Sequence, residues 1–379
     1  MRRELEQLEV PGEHEARERA WRVVQAAYAE RVPQPRRRSR RPLVAVAAAL
    51  AVLAAALSPP GRAVLDDVRE VVGVERAQPS LFRLPTGGRV LVSSRAGTWV
   101  VQPDGAKRRL GDHVRAAWSP HGRFVVAAKP NELAALEPGG QVRWTLARPR
   151  LGPFAWSGTA TDTRIAYATR DRLHVVGGDG RGDRFLFSGP DVPTAPFAWA
   201  PGSRRVLAHV TQGMLRVIDV GAGGEELWSA TAPQPRFLAW SDDRRRLAVV
   251  WRDVLVVFDR NGRRLFRIEL AGAATAAALR PRGHELALAL RLRGSARSEV
   301  FAFSLDRRDA PQRRLFGGRG TFSGLAWSPD ARWLLVAWED ADQWVFARTA
   351  GAPRLVAAAN VAEQFGGRFP RVEGWCCPR

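Results

Sequence analysis

The residues able to carry chemistry are few and scattered. The six histidines are His14, His113, His121, His174, His209 and His284. No pair has the spacing that sets two ligands on one helical face, and no His-Glu-x-x-His occurs. Only a fold that gathers distant histidines at one point could build a metal site from them. Gly320-Thr321-Phe322-Ser323-Gly324 has the wrong order for a nucleophile elbow, in which Ser sits between two spaced glycines. Acidic residues fall mostly in turns, where Asp satisfies backbone N–H groups, and no carboxylate pair stands out. Cys376 and Cys377 are adjacent, and such neighbours pair only with strain. They offer no zinc spacing and no disulfide framework. The glycine-rich run Gly177-Gly178-Asp179-Gly180-Arg181-Gly182-Asp183 admits three chemical readings. It could cradle a phosphate, hold calcium through Asp179 and Asp183, or present Arg-Gly-Asp to a receptor. A phosphate loop opens a helix, and none is expected here, so a hairpin turn is the preferred reading. The residue pattern therefore assigns no catalytic residue, no cofactor and no metal.

Composition narrows the partners. The chain has 379 residues and a formal net charge of +21, carried almost wholly by arginine, with Lys107 and Lys129 the only lysines. Such a charge suits nucleic acid, anionic lipid or an acidic polymer. The arginines are spread through the chain with no nucleic-acid motif among them, so a solvated basic surface is preferred over nucleic-acid binding. Fourteen Trp stand against two Tyr, and six of the Trp fall at matching points of a repeat.

That repeat positions everything else. Leu325-Ala326-Trp327-Ser328-Pro329-Asp330 returns in shorter form as Ala117-Trp118-Ser119-Pro120, Ala155-Trp156-Ser157-Gly158, Ala198-Trp199-Ala200-Pro201 and Ala239-Trp240-Ser241-Asp242. The anchors Trp118, Trp156, Trp199, Trp240, Leu279, Trp327 and Trp375 follow one another every 38–48 residues. That is the period of four-stranded propeller blades. One unit shows the plan. Phe237–Trp240 is a first strand, Leu247–Trp251 a second, Val254–Phe258 a third, and Leu265–Leu270 an alternating outer strand. Asp259-Arg260-Asn261-Gly262 is the outer hairpin, with Asn-Gly expected to take the positive φ angles of a tight turn. Second strands near Val90, Phe124, Ile165, Val206, Leu247, Leu286 and Leu334 count seven blades. Val372–Trp375 has no second strand after it and is expected to return to the first blade, with Leu81–Leu84 competing for that place.

These strand ends resemble the β-propeller repeat of TolB-like and Trp-Asp-repeat-like proteins. The resemblance covers about three hundred residues, with Leu279-Arg280-Pro281-Arg282-Gly283 and Trp199-Ala200-Pro201-Gly202 departing from its pattern. It implies a binding or scaffolding domain without chemistry of its own. The regular Trp residues are then structural blade anchors. Trp144, Trp228, Trp251, Trp333, Trp338 and Trp344 are less regular and are the better ligand candidates.

The first seventy-seven residues are of another kind. Residues 1–35 read as a cytoplasmic amphipathic segment whose Trp21, Val24 and Tyr28 share one face and could dock in a partner's groove. Five arginines lie within Arg36–Arg41, and residues 43–57 follow without a charge. Fifteen helical residues rise about 22 Å, short of the ~30 Å hydrocarbon layer, so Arg40 and Arg41 must snorkel. Residues 36–58 are read as a retained, Arg-flanked transmembrane signal-anchor, with cleavage near Ala56 as the alternative that would export the protein. A twin-arginine signal at Ser39-Arg40-Arg41-Pro42-Leu43 is a weaker form of that alternative. Arginines on the N-terminal side place the N-terminus in the cytoplasm and the rest outside. Residues 59–77 form an amphipathic stalk helix, and 78–379 the all-β seven-bladed propeller.

Three functions compete at this point. The preferred one is a non-enzymatic, single-pass membrane protein whose extracytoplasmic propeller binds a protein or a cell-envelope ligand. The layout is also similar to transmembrane anti-sigma factors, in which residues 13–31 would hold a cytoplasmic protein partner. That group's frequent zinc-binding His/Cys signature is missing here. A propeller hydrolase or oxidoreductase is the third reading, and it requires His, Asp or Glu gathered at the centre of the disc.

Overall fold

A computed structural model describes residues 83–377, apart from 160, 191, 193–195, 204 and 233. The proposed cytoplasmic segment with Trp21, Val24 and Tyr28, the proposed span and the proposed stalk all lie outside the described residues. Among the described residues, no helix is long and apolar enough to cross a membrane.

The described residues form seven four-stranded antiparallel sheets. Blade 1 joins β1 (Arg89–Ser94), β2 (Gly97–Val101) and β3 (Lys107–Gly111) to the last strand of the chain, β28 (Arg371–Cys376). Blade 2 is β4 (Arg115–Trp118), β5 (Val125–Lys129), β6 (Glu132–Leu136) and β7 (Val142–Ala147). Blade 3 is β8 (Leu151–Gly158), β9 (Thr163–Thr169), β10 (Arg172–Gly177) and β11 (Arg184–Ser188). Blade 4 is β12 (Ala198–Trp199), β13 (Val206–Thr211), β14 (Met214–Asp219) and β15 (Glu225–Thr231). Blade 5 is β16 (Phe237–Trp240), β17 (Arg246–Trp251), β18 (Val254–Asp259) and β19 (Arg264–Glu269). Blade 6 is β20 (Gly272–Leu279), β21 (Glu285–Leu292), β22 (Arg297–Ser304) and β23 (Arg313–Arg319). Blade 7 is β24 (Phe322–Trp327), β25 (Trp333–Trp338), β26 (Gln343–Arg348) and β27 (Leu355–Ala359), followed by the one-turn helix α1 (Val361–Gln364). The inner strands touch in the order β28, β4, β8, β12, β16, β20, β24 and back to β28, which makes a closed seven-bladed propeller.

Each blade grades from dry to wet because its strands do. β25 reads Trp-Leu-Leu-Val-Ala-Trp and is buried throughout, sandwiched between neighbouring blades. β15 at the outer edge is mostly exposed, with Trp228 and Ala230 turned inward. Closure follows the expected course: Val90 pairs with Trp375 and Arg89 with Cys376, so the two ends of the described chain share one sheet. Residues 83–88 form no strand, and the Leu84 N–H donates to the Pro103 carbonyl at 2.9 Å.

The recurring Trp-Ser-Pro-Asp phrase is a self-satisfied turn. The buried Ser328 Oγ donates to the Asp330 carboxylate at 2.5 Å and accepts from the Trp333 N–H at 2.9 Å. Asp330 in turn accepts the Arg332 N–H at 3.1 Å. Ser241, Asp243, Arg245 and Arg246 repeat this arrangement. The outer hairpin departs from expectation. In Asp259-Arg260-Asn261-Gly262 only Gly262 has a positive φ, at +86°. The Asp259 carboxylate accepts the N–H groups of Asn261 and Arg263, and the register shifts between Val257 and Phe258. A type I turn followed by a left-handed glycine bulge thus replaces the tight two-residue turn.

Seams between blades close at two radii. At the inner end the Trp327 indole N–H donates to the Ala278 carbonyl of the preceding blade at 3.0 Å, and Trp199 does the same to Ala155 at 3.1 Å. These bonds satisfy carbonyls that face the channel and have no strand beside them. At the outer end, a side chain of one blade's outer strand donates to a carbonyl in the next blade's outer hairpin. Arg108 reaches Gly139, Trp144 reaches Gly178, Arg184 reaches Val220, Trp228 reaches Arg260 and Arg313 reaches Thr349.

Candidate ligand pocket between blades 2 and 3

The outer bond of the seam between blades 2 and 3 also builds a cavity. Trp144 leaves the outer strand β7 and lays its ring on Gly180, where a Cβ would stand 2.9 Å from the indole. Its N–H donates to Gly178 at 2.9 Å. Gly178 cannot be anything larger, because a Cβ there would sit 1.8 Å from Thr163 Oγ1 and 3.3 Å from Trp156 Cζ2. The glycine-rich run is therefore a hairpin pressed against two indoles. Asp179 is spent on its own turn, accepting the Arg181 N–H at 3.0 Å. Asp183 turns away to accept the Tyr167 hydroxyl at 2.5 Å and to pair with Arg148. Burial and the Asp183 carboxylate push the Tyr167 phenol up, so it stays protonated as donor. No calcium cage and no phosphate loop is formed by these residues.

Between this hairpin and the Ser119–Phe124 turn of blade 2 lies a cavity of about 370 Å³. Trp144, Trp156 and Phe124 give it apolar walls, and Ser119, Thr161 and Thr163 supply hydroxyls. His121, Arg123 and Arg143 stand on one side and Asp179 on the other. The Arg143 guanidinium lies 6.0 Å from the Phe124 ring centroid and 3.3 Å from Glu137. The size falls in the range of small-ligand pockets, and the balance of aromatic wall and cationic rim suits a planar anion. Trp156 differs from Trp199 and Trp327, since its buried indole N–H has no acceptor. It serves the seam and the cavity together.

The other anchors are placed as follows. Trp199, Trp240, Trp327 and Trp375 are buried, and Trp118 is half-buried with the Arg89 guanidinium 5.0 Å from its ring. Trp375 donates to the Gly87 carbonyl at 3.2 Å. Of the less regular tryptophans, Trp333, Trp338 and Trp344 are buried, Trp228 lies on the Gly262 hairpin as Trp144 lies on Gly180, and Trp144 alone lines the cavity. No motif in the sequence singles out His121, Arg123 or Arg143 as a group, because Arg143 lies in β7, apart from the turn that holds the other two. The signal available was the pairing of Trp144 with a glycine hairpin one blade later.

The remaining titratable groups are dispersed. Among the described residues no group of three or more His, Cys, Asp and Glu could hold a metal. Cys376 and Cys377 are joined by a disulfide at the end of β28, beside Gly122. This departs from the expectation that adjacency disfavours the bond. His113 is buried with its ring lowered in pKa by that burial. His209 is buried 4.4 Å from Phe187, and burial with the nearby Arg216 lowers it to about 3. At the start of β28 Arg371 pairs with Glu373 at 2.5 Å, and in the neighbouring β4 Arg115 is spent on the Leu151 and Gly152 carbonyls.

The structure is similar to solved propellers. One is a chain in the crystal structure of the mitotic checkpoint complex, at TM-score 0.56 and 16% identity, covering 74% of this chain and 95% of that one. Another is a chain of Kuenenia stuttgartiensis hydrazine synthase, at TM-score 0.54 and 13% identity, covering 73% of this chain and 97% of that one. At these identities the likeness shows the fold and no function. No protein-family model and no curated protein matches the sequence.

Proposed function

We propose that this protein is a non-enzymatic recognition module, a β-propeller that binds a protein or cell-envelope ligand. The carrying observation is the cavity between blades 2 and 3. It combines two indoles held rigid by a hairpin with a cationic rim. A rigid ring that presents turns at its faces suits recognition. The mitotic checkpoint complex is an assembly of proteins, and a propeller within it agrees with a protein-binding role here. In this reading the Arg-flanked segment 36–58 anchors the chain in the membrane. Residues 1–35 lie in the cytoplasm, 59–77 form a stalk, and the propeller of 78–379 stands outside.

Titration of the full chain with naphthalene-2-sulfonate, a planar anion, tests the pocket through quenching of tryptophan fluorescence. Saturable quenching that is lost in Arg143→Glu supports the site, and equal quenching in both proteins removes it. A reporter fused after Arg379 tests the topology: activity confined to the extracytoplasmic side supports the anchor, and cytoplasmic activity overturns it.

A further inference from the structure

One seam lacks the outer bond that serves its neighbours. Five seams carry a side chain from one outer strand to the next outer hairpin. The seam between blades 7 and 1 is covered instead by Leu84, ahead of β1, which packs in one core with Trp333, Phe346 and Ala358 of blade 7 and Val101 of blade 1. Between blades 5 and 6, among the described residues, no side chain of β19 reaches the hairpin at 305–312. An open groove of about 840 Å³ occupies the place, lined by all six residues of β19 and by Arg308 of that hairpin.

Six consecutive lining residues mean that the groove runs along the strand. β19 is the last strand of its sheet, so its backbone edge away from β18 is unpaired. Such an edge offers alternate N–H and C=O groups to any extended chain laid beside it. The charges around it are also unspent. Arg264 and Arg308 are exposed and have no carboxylate partner among the described residues, and Arg267 meets only Glu269, at 3.4 Å. Three outer-strand arginines of other blades are consumed: Arg313 by Thr349 and Glu285, Arg314 by Glu299, Arg184 by Val220.

We propose that the edge of β19 receives an extended acidic peptide segment as a fifth strand of blade 5. Backbone pairing supplies the affinity, and Arg264, Arg267 and Arg308 select acidic side chains. Arginines on an edge strand also guard against unwanted pairing. Here that guard is selective, because three arginines against one Glu repel a second copy of β19 and attract a segment of opposite sign.

The test uses the full chain and a fluorescein-labelled peptide, Glu-Val-Glu-Thr-Glu-Val, followed by anisotropy and by backbone deuterium exchange. Saturable binding with slowed exchange at 264–269 is expected. The double variant Arg264→Glu/Arg308→Glu should weaken it at least tenfold, about 1.4 kcal/mol. Arg308→Glu alone, which leaves the strand untouched, should weaken it severalfold. A control with the same change of charge, Arg95→Glu/Arg354→Glu, should stay within twofold. The Lys-Val-Lys-Thr-Lys-Val peptide, and an acidic peptide with proline at its two central positions, should not bind. Absence of binding, equal weakening in the control, binding of the proline peptide, or protection elsewhere with none at 264–269 would each overturn the proposal.

Discussion

The seam between blades 6 and 7 and the seam between blades 5 and 6 solve one problem in opposite ways. The first uses indoles. Trp327 donates to Ala278 under the Arg280 guanidinium, which lies 5.5 Å away, and Trp338 donates to Arg319 at 2.7 Å. Phe316, Phe322 and Trp338 meet at 5.3–5.7 Å between them, and Arg313 closes the outer rim on Thr349. The second seam has Leu279 at the anchor position and, among the described residues, no bond from the outer strand β19 to the next hairpin. An aliphatic core of Leu255, Val257, Leu288 and Leu290 fills its middle. Charges tie its faces: His284 sits 2.9 Å from Asp243 and 2.8 Å from Asp306, Arg246 reaches Asp306 at 3.0 Å, and Arg293 pairs with Asp253. Indoles seal a seam at both radii because each ring covers area and aims one bond. Ion pairs hold the faces together but leave the outer edge open.

The largest expected effect tests the inner end of this contrast. Trp327→Ala should destabilise the propeller by ~3–5 kcal/mol, through lost burial and an orphaned Ala278 carbonyl. Leu279→Ala at the other seam should cost less, ~1–2 kcal/mol, because Leu279 is only partly buried and donates no bond. Urea midpoints of the two variants, with unchanged slopes, measure the difference. Equal losses would mean that the indole adds nothing beyond its area.

Acid should open the seams in a definite order. His209, in the seam between blades 3 and 4, is held near 3 by burial and by Arg216, whereas an unfolded histidine titrates near 6.5. The unfolded chain therefore takes up this proton first. Stability from a neutral His209 is complete above about pH 6.5 and falls steadily toward pH 3. Asp243, in the seam between blades 5 and 6, behaves differently. Burial raises its carboxyl, but the Ser241 hydroxyl, the Arg245 N–H and His284 outweigh that and bring it to about 2. Its contribution is complete above the ordinary aspartate value of 3.8 and is lost as pH falls from there through about 2. Urea midpoints at pH 7.5, 5.5 and 4 should decline in the wild type, and His209→Leu should flatten that decline. An unchanged slope would remove His209 as its cause.

What the sequence discloses follows the range of each interaction. The Trp-Ser-Pro-Asp turn is legible because Ser328, Asp330 and Trp333 satisfy one another within five residues. Blade number, the strand positions and the return of Val372–Trp375 are legible because each repeats a local pattern. The hairpin at Asn261-Gly262 was half legible: its place is written in the residues, but its turn type depends on Asp259 accepting two N–H groups. The pocket is a longer-range object. Trp144 stands out as irregular, yet its partner Gly178 lies 34 residues on, and His121, Arg123 and Arg143 carry no motif. The open groove is harder still, since it consists of a bond that one seam lacks. Leu279 in place of Trp was its only written sign.

The smallest effects decide whether the outer bonds matter. Trp144→Phe keeps a ring on Gly180 and removes only the N–H that Gly178 accepts, so a loss of ~0.5–1.5 kcal/mol is expected. The loss should be local, with faster amide exchange at residues 178–181 and little change in the remote blades. Arg264→Ala removes an exposed side chain with no partner among the described residues and should shift stability by less than about 0.5 kcal/mol. The two variants measured side by side separate a bond that holds a seam from a charge held free at its edge. If Arg264→Ala proves as costly as Trp144→Phe, β19 is tied to blade 6 after all, and the difference between the stapled seams and the open one disappears.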